Sequence, residues 1–242
     1  MKLDLLAFGV HPDDVELSCS GVLLLEKGNG KKTGIVDLTR GELGTRGTAE
    51  TRDQEALVSA GILGLSAREN LRMKDGFLKN DEEHQRKVIT AIRKYQPEII
   101  FCNAPLDRHP DHGRSSALVE DASFLAGLVK IETEDDGKVQ EPWKPKYVFK
   151  YIQDMYIKPD FVVDISSVFE QKLEAIKAFK TQFHNEDMDG PETYISTPDF
   201  LDSIIYRAKM FGKMIGVKYA EGFVSKKMVG LKNFDGLILK NT

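Results

Sequence analysis

Residues 3–14 read LDLLAFGVHPDD, and this stretch decides the architecture on which the rest of the chain builds. Its first part, residues 3–10, is a short apolar run typical of a buried strand in a parallel sheet. Pro12 fixes its own φ and favours an extended conformation at His11, so a helix can begin at Pro12 or shortly after it. The stretch therefore predicts a buried strand, a short turn and a helix over 14–28.

The same alternation of apolar runs and helical segments continues along the chain. Further strands are predicted at residues 32–37, 69–72, 98–102, 147–152 and 161–164. Further helices are predicted at residues 48–63, 82–95, 115–126, 168–179 and 198–215. This alternation favours a mostly parallel sheet with helices on both faces, a Rossmann-like, doubly wound α/β fold with strand order 3-2-1-4-5. The first and fourth strands are then neighbours, and ligands bind beside them at the carboxyl ends of the strands.

Length and composition indicate an ordinary globular protein. The 242 residues, 41% of them hydrophobic and 30% charged, suit a single domain over 1–242. A formal net charge of −4 and the lack of a basic stripe argue against a nucleic-acid partner. Cys19 and Cys102 form no CxxC pair and no disulfide framework, a pattern that suits a reducing compartment.

The sequence contains no segment that predicts export or insertion into a membrane. The N-terminus turns polar after Val10 and has no small-residue cleavage site, which argues against a secretory signal. No apolar run approaches the roughly 20 residues that span a bilayer. We therefore expect a cytoplasmic protein without a membrane partner.

Two histidine–proline motifs follow strands that the predicted order makes neighbours. HPDD at 11–14 leaves the first strand, and HPDH at 109–112 leaves the fourth. Within each motif the outer residues are three apart, so a turn of helix places them on one face. His11, Asp14 and His112 thus form a plausible ligand set for Zn²⁺, with open positions for water. Either motif alone is more often a loop signal or a helix cap, but their convergence favours a metal site.

The residues beside these ligands supply the other groups that amide hydrolysis requires. A zinc ion lowers the pKa of its bound water towards about 7, and a base then takes the proton. Asp13 is the candidate base, and His109 is the candidate acid or oxyanion stabiliser on the far side of the scissile carbon. Of the remaining histidines, His84 is predicted to face solvent and His184 to have a structural role.

The loop after the second strand and the helix that follows it carry three arginines. Residues 38–47 read LTRGELGTRG, whose glycines follow the wrong strand and have the wrong spacing for a dinucleotide site. Arg40, Arg46 and Arg52 could each bind a carboxylate or phosphate of a substrate in a bidentate pair. Equally, they could pair with acidic side chains of the chain itself, namely Glu42, Glu50 and Asp53.

Four segments carry a resemblance that extends over nearly the whole chain. They are FGVHPDDVEL at 8–17, TRGELGTRG at 39–47, HPDH at 109–112 and YAEGF at 219–223. On these segments the chain resembles the LmbE-like family of metal-dependent sugar N-deacetylases, which includes the N-acetylglucosaminyl-phosphatidylinositol de-N-acetylase. Within the family it is most similar to bacterial deacetylases of N-acetyl-α-D-glucosaminyl L-malate, which act in bacillithiol biosynthesis.

The resemblance implies roles for individual residues. It implies that His11, Asp14 and His112 are the zinc ligands, that Asp13 is the general base and that His109 is the second catalytic histidine. It also implies that Tyr194 is a mobile tyrosine near the oxyanion and that the arginine loop faces the malate carboxylates. Because family members commonly form trimers or hexamers, the expected partners are a small sugar conjugate and further copies of this chain.

The sequence alone leaves other functions open. A general deacetylase of N-acetylglucosamine or chitobiose needs the same site, and a non-haem iron oxygenase also uses two histidines and a carboxylate. A sugar-binding module on the same sheet would need no base. The ligand set accepts either Zn²⁺ or Fe²⁺. The acidic stretch 132–146 is predicted to be a surface excursion.

Overall fold

The computed structural model describes residues 1–183 and 190–238, and its centre is a seven-stranded sheet. In chain order the strands are β1 Leu5–Gly9, β2 Thr33–Thr39, β3 Ala67–Met73, β4 Ile99–Cys102, β5 Glu134–Asp135, β6 Lys138–Val139, β7 Tyr147–Tyr151, β8 Phe161–Asp164 and β9 Ala220–Ser225. The pair β5 and β6 forms a separate hairpin. The other strands lie in the order β3-β2-β1-β4-β7-β9-β8.

The five neighbouring strands β3, β2, β1, β4 and β7 form the parallel core of the sheet. β1 pairs in parallel with both β2 and β4, β2 pairs with β3, and β4 pairs with β7. The predicted order 3-2-1-4-5 is therefore confirmed, with β7 as the fifth strand. The winding of the chain reverses between β1 and β4, which leaves a crevice beyond the carboxyl ends of these two strands.

Helices cover both faces of the sheet. They are α1 Asp14–Ser18, α2 Ser20–Gly28, α3 Ala49–Leu63, α4 Glu82–Tyr95, α5 Pro110–Leu125, α6 Phe169–Lys177 and α7 Pro198–Ile215, with a 3₁₀ turn at Tyr194–Ser196. Successive residues of β1 point to opposite faces. Leu6 and Phe8 pack with residues of α4 and α5, and Leu5 and Ala7 pack with residues of α2 and α6. The doubly wound α/β fold is therefore confirmed.

The helix predicted over 14–28 is divided into α1 and α2. Cys19, with φ −137° and ψ 12°, interrupts the helix between them. The carboxylate of Glu221 in β9 accepts hydrogen bonds from the backbone N–H groups of Gly21 (2.9 Å) and Val22 (2.8 Å). The Nζ of Lys172 lies 2.6 Å from the same carboxylate. A buried ion pair therefore holds the N-terminus of α2, where the helix dipole favours negative charge.

Helix α5 begins five residues before the predicted start at residue 115, at the HPDH motif itself. Pro110 occupies the first turn, where a missing backbone N–H leaves no hydrogen bond unmade. His109 is the N-cap residue, and its Nδ1 accepts a hydrogen bond from the backbone N–H of Asp111 at 3.2 Å. His112 consequently lies in the first turn of a long helix, anchored at the edge of the sheet.

The sequence pattern does not predict β9, which pairs antiparallel with both β7 and β8. Its sequence AEGFVS contains a buried carboxylate and a glycine and so does not read as an apolar run. A Cβ added at Gly222 would lie 2.9 Å from the ring of Phe211, so α7 can pack closely only against a glycine. The strand therefore depends on contacts that are distant in sequence.

The acidic stretch 132–146 contains the hairpin of β5 and β6. Asp136 (φ 50°) and Gly137 (φ 72°) form its turn, and the indole N–H of Trp143 donates to the carbonyl of Pro97 at 2.7 Å. Within the described ranges, no helix has the length and apolar character needed to cross a bilayer. That 1–242 forms one domain stays a prediction.

Candidate functional site

The turns that follow β1 and β4 meet at the carboxyl edge of the sheet. The ring centroids of His11 and His109 are 4.7 Å apart, those of His11 and His112 are 5.6 Å apart, and those of His109 and His112 are 5.2 Å apart. Because β1 and β4 are hydrogen-bonded neighbours, motifs almost a hundred residues apart emerge side by side. The structure therefore brings the two predicted histidine turns to one point.

His112 is fixed through one ring nitrogen, and the other makes no hydrogen bond to a described residue. Its Nδ1 lies 2.6 Å from Oδ2 of Asp107. Its Nε2 is buried, lies 3.3 Å from Oδ1 of Asp14, and makes no hydrogen bond to any described residue. A buried polar atom of this kind requires a partner, and a carboxylate behind the opposite nitrogen is the usual support of a histidine metal ligand. A cation beside Nε2 fits this arrangement.

His11 shows the same arrangement on the opposite turn. Its Nε2 lies 2.9 Å from Oδ1 of Asp75, whose Oδ2 accepts from the backbone N–H of Leu43 at 3.1 Å. Its Nδ1 lies 3.6 Å from Oδ2 of Asp14. When the ring proton is on Nε2 and is donated to Asp75, the lone pair of Nδ1 faces the carboxylate of Asp14. A positive charge between Nδ1 and this carboxylate would stabilise the arrangement.

Asp14 is buried at the start of α1 between the two histidines. Its Oδ2 accepts from the backbone N–H of His11 (3.0 Å) and from Nδ2 of Asn103 (3.0 Å), and its Oδ1 accepts from Nε2 of Gln153 (2.7 Å). Burial raises the pKa of Asp14, but the charge of His112 and the hydrogen bond to His11 outweigh burial and hold it well below its usual range. The carboxylate is therefore ionised and fixed in orientation.

The carboxylates also make the histidines attract positive charge strongly. Burial lowers the pKa of His11, but hydrogen bonds to Asp14 and Asp75 outweigh this effect and raise it to about 9. Burial likewise lowers the pKa of His112, whereas Asp14 and Asp107 raise it to about 10. Protons and a divalent cation would compete for the same nitrogen atoms.

Two overlapping sets of residues could hold that cation. One is the predicted set of His11, Asp14 and His112. The other is a three-histidine group, because ring nitrogens of His11, His109 and His112 lie within 4.8 Å of one another. The Nδ1 of His109 accepts from the backbone N–H of Asp111, so the neutral ring carries its proton on Nε2 and offers a donor there. This geometry favours the predicted set and leaves His109 as a hydrogen-bond donor.

Asp13 is held in a strained backbone conformation beside these residues. Its φ of 147° and ψ of −23° lie where residues with a Cβ are rarely found. Its Oδ2 accepts from Nη2 of Arg52 at 2.7 Å, and across the described residues no hydrogen bond reaches its Oδ1. Burial raises the pKa of Asp13 to about 7, although Arg52 acts in the opposite direction. The arrangement suits a group that accepts a proton near neutral pH.

A cavity of about 350 Å³ opens onto these side chains, a size that holds a small ligand. Its lining includes the three histidines and the two aspartates of the turns. It also includes cationic and apolar side chains, namely Arg46, Arg52, Arg108, Leu17, Leu43, Ile195 and Phe200. The site can therefore bind a ligand that is partly apolar and partly anionic.

The three predicted arginines have different surroundings. Arg40 donates from Nε and Nη2 to Oδ2 of Asp53 (3.1 and 2.7 Å) and from Nη2 to Glu50 (3.0 Å), so the structure shows pairing within the chain. Arg52 is buried and binds the candidate base rather than facing solvent. Arg46 lies on the wall of the cavity. Contact of any of the three with a substrate stays a prediction.

Tyr194 lies on the same cavity wall, 54% exposed, in the 3₁₀ turn. Its hydroxyl donates to Oδ1 of Asp154 at 3.0 Å, and the guanidinium of Arg108 lies 4.3 Å from its ring centroid. In this position the tyrosine hydroxyl is bound to a carboxylate, so the proposed role near an oxyanion needs a movement of the ring.

Sequence reasoning missed the side chains that support the site. These are Asp75, Asn103, Asp107, Arg108, Gln153 and Asp154. All follow β3, β4 or β7 in the parallel core, so their position after a strand was the available signal.

The two remaining histidines lie away from the motifs in sequence. The ring of His84 is 12% exposed and lies 2.6 Å from Oδ1 of Asp81, the N-cap residue of α4. The prediction that it faces solvent is therefore wrong, because the cap holds the ring against the helix. His184 lies outside the described residues.

Comparison with known proteins identifies the family. Residues 6–123 match the family model of PIG-L, the GlcNAc-PI de-N-acetylase. The chain is 31% identical over 222 residues to the diacetylchitobiose deacetylase of Thermococcus kodakarensis, covering 88% of this chain and 79% of that protein. It is 25% identical over 194 residues to the 4-oxalmesaconate hydratase of Pseudomonas putida, covering 74% of each.

A solved structure shares the fold of this chain. The crystal structure of the conserved protein TT1542 from Thermus thermophilus superposes with a TM-score of 0.85 at 37% identity, covering 95% of this chain and 98% of that one. The identity, the coverage and the shared sheet together show that this chain belongs to the PIG-L family, as the resemblance predicted.

Proposed function

We propose that the protein is a zinc-dependent deacetylase that hydrolyses the N-acetyl group of an N-acetylglucosamine conjugate and releases acetate. The observation that carries the proposal is the buried Nε2 of His112, which lies 3.3 Å from Asp14 and, within the described part of the chain, makes no hydrogen bond; nearby, Oδ1 of Asp13 likewise accepts none from those residues. A set of metal ligands next to a free carboxylate oxygen is what metal-assisted hydrolysis of an amide requires. The named activity of the relative from Thermococcus kodakarensis supports the same chemistry.

In this proposal His11, Asp14 and His112 hold Zn²⁺, although the same ligands also suit Fe²⁺. When bound, the ion supplies Lewis-acid polarisation and a water of lowered pKa. Asp13 takes a proton from the attacking water at Oδ1 and returns it to the amine as the C–N bond breaks.

His109 stabilises the oxygen of the scissile carbonyl in this proposal. Its Nε2–H donates a hydrogen bond to the developing oxyanion. Burial, together with His11 and His112, holds the pKa of His109 below its usual value, so the ring is neutral at pH 7. Tyr194 is the second proposed donor, once it leaves Asp154.

We propose N-acetyl-α-D-glucosaminyl L-malate, the substrate of bacillithiol biosynthesis, as the conjugate. Arg46 and Arg108 lie on the wall of the cavity, where guanidinium groups can bind the malate carboxylates. The alternative is a general deacetylase acting on N-acetylglucosamine or chitobiose. The relative named as a diacetylchitobiose deacetylase supports this alternative as well as it supports a deacetylase of the malate conjugate. A cytoplasmic location and a homo-oligomer, trimer or hexamer, without nucleic-acid or membrane partners, stay predictions.

The test is release of acetate by the zinc-loaded protein from the malate conjugate, from diacetylchitobiose and from free N-acetylglucosamine. We expect release to be fastest with the malate conjugate and to stop after treatment with a chelator. Absence of acetate from all three substrates would refute the deacetylase. Hydration of 4-oxalmesaconate or consumption of oxygen would then identify a hydratase or an iron oxygenase.

A further inference from the structure

Asp13 owes the direction of its carboxylate to a single side chain among the described residues. Its backbone is in the left-handed half of conformational space, with φ 147°, and the side chain is 5% exposed. Its Oδ2 accepts the 2.7 Å hydrogen bond from Arg52, its Oδ1 accepts none from a described residue, and Asp13 is one of the residues that line the cavity. The two oxygens of a carboxylate are chemically equivalent, so the contact with Arg52 fixes the plane of the group: one oxygen is engaged by the guanidinium, and the other accepts no hydrogen bond from a described residue.

Arg52 is itself held by the glycine-rich loop. Its Nη1 donates to the carbonyl of Gly41 at 3.2 Å, and a Cβ added at Gly41 would lie only 1.7 Å from this nitrogen. Gly41 has φ +63°, and its N–H donates to Oγ1 of Thr39 at 3.1 Å. The same hydroxyl donates to the carbonyl of Val10 at 2.9 Å. A chain of contacts therefore runs from the end of β1 through the loop to the guanidinium.

We propose that Arg52 is a positioning residue, which fixes the Asp13 carboxylate through Oδ2 so that Oδ1 faces the attacking water. This inference rests on the proposed function, because it assumes that Asp13 accepts the proton. It also gives the TRGELGTRG motif a role: Gly41 provides the space and the carbonyl that set the guanidinium in place. The role differs from the substrate contact that the sequence suggests for Arg52.

The test compares kcat and KM of the zinc-loaded variants Arg52→Met and Arg52→Lys. Loss of the guanidinium should lower kcat about 100-fold with little change in KM, because misplacement of a catalytic group acts on the chemical step. Lysine should restore part of kcat, since it returns one donor and the charge but not the contact with Gly41. Zinc content should equal that of the wild type.

One further variant keeps the test decisive if Arg52→Met does not fold, and a double variant adds a second test if it does. Gly41→Ala leaves the arginine in the chain but displaces its guanidinium, and should lower kcat as well. In the double variant with Asp13→Asn, Arg52→Met should cause no further loss beyond Asp13→Asn alone, because both remove one function. Arg93→Met is the control, since Arg93 is a buried arginine that donates to carbonyls at Ala126 and Leu128, away from the cavity.

The outcomes separate this proposal from the deacetylase itself. Unchanged kcat with raised KM in Arg52→Met would show that Arg52 only binds substrate and would overturn the proposal. Loss of zinc or an additive loss in the double variant would overturn it as well. Failure of the wild type to release acetate would instead refute the proposed function, whatever the arginine variants do.

Discussion

Two buried arginines bind carboxylates at the start of the chain, but only one of them borders the cavity. Arg68 donates from Nε and Nη2 to Asp37 (2.9 and 3.1 Å), and its Nη1 donates to Glu16. Arg52 donates from Nη2 to Asp13, while its Nε has no hydrogen-bond partner within the described part of the chain. The two guanidinium groups are similarly buried and differ in how completely they are satisfied.

This difference shows how α1 serves two purposes. Glu16 binds Arg68 and the hydroxyl of Ser59, which join α1 to β3 and α3. One turn earlier, Asp13 and Asp14 present atoms to the cavity. Each nitrogen of the Arg68 guanidinium has an acceptor, although Oε2 of Glu16 lacks a hydrogen-bond partner among the described residues. Arg52 and Asp13 instead leave atoms without hydrogen bonds from described residues beside the cavity, where a ligand can use them. Variants of the two networks should therefore separate stability from catalysis.

The largest expected effect is that of Asp13→Asn on turnover. The amide keeps the shape of the side chain but cannot take a proton, so kcat should fall by about 10²- to 10⁴-fold. Zinc content, measured by elemental analysis, should stay at the wild-type level because the ligands are unchanged. Full turnover in this variant would remove Asp13 from the role of base.

The matching change at Arg68 should act on stability. Arg68→Met leaves Asp37 and Glu16 buried without their partner, and the free energy of unfolding should fall by about 3–5 kcal/mol. Urea denaturation measures this loss, and kcat per folded, zinc-loaded molecule should be unchanged. A fall in kcat with normal stability would mean that the two networks are not separate.

An intermediate effect is expected behind the metal ligands. Asp107→Asn weakens the support of the His112 ring, so zinc affinity should fall by about 10- to 100-fold. Competition with a chromophoric chelator measures the affinity. The control is Asp121→Asn on the same helix as His112, where the carboxylate is exposed and accepts from Asn80. Equal affinities for the two variants would contradict the assignment of His112 as a ligand.

The smallest effect is expected at the cavity wall. Arg46→Ala should raise KM for the malate conjugate by up to about 5-fold, the range of a partly exposed ion pair, with less change for free N-acetylglucosamine. Arg40→Ala should have a smaller effect on the same ratio, because Arg40 is engaged by Asp53. Equal effects of Arg46→Ala on KM for both substrates would show that this arginine does not bind the malate carboxylates.

The parts of the molecule that follow local rules could be predicted from the sequence. The run before His11 and the order of the parallel strands were enough to bring His11 and His112 together. Asp75 and Gln153 belong to no motif, because each reaches the site only through the register of its own strand. Arg52 likewise reaches Asp13 because of the conformation of a loop, which the spacing of residues in the sequence does not indicate.

The position of β9 between β7 and β8 has a consequence for how the chain folds during synthesis. The parallel core can form once β7 has left the ribosome, but β8 has no partner in the sheet until residues 220–225 have emerged. The nascent chain therefore exposes the edge of β7 while about 70 further residues are translated. Glu221 lies in β9, so the carboxylate that accepts from the N-terminus of α2 is available only after β9 has been synthesised.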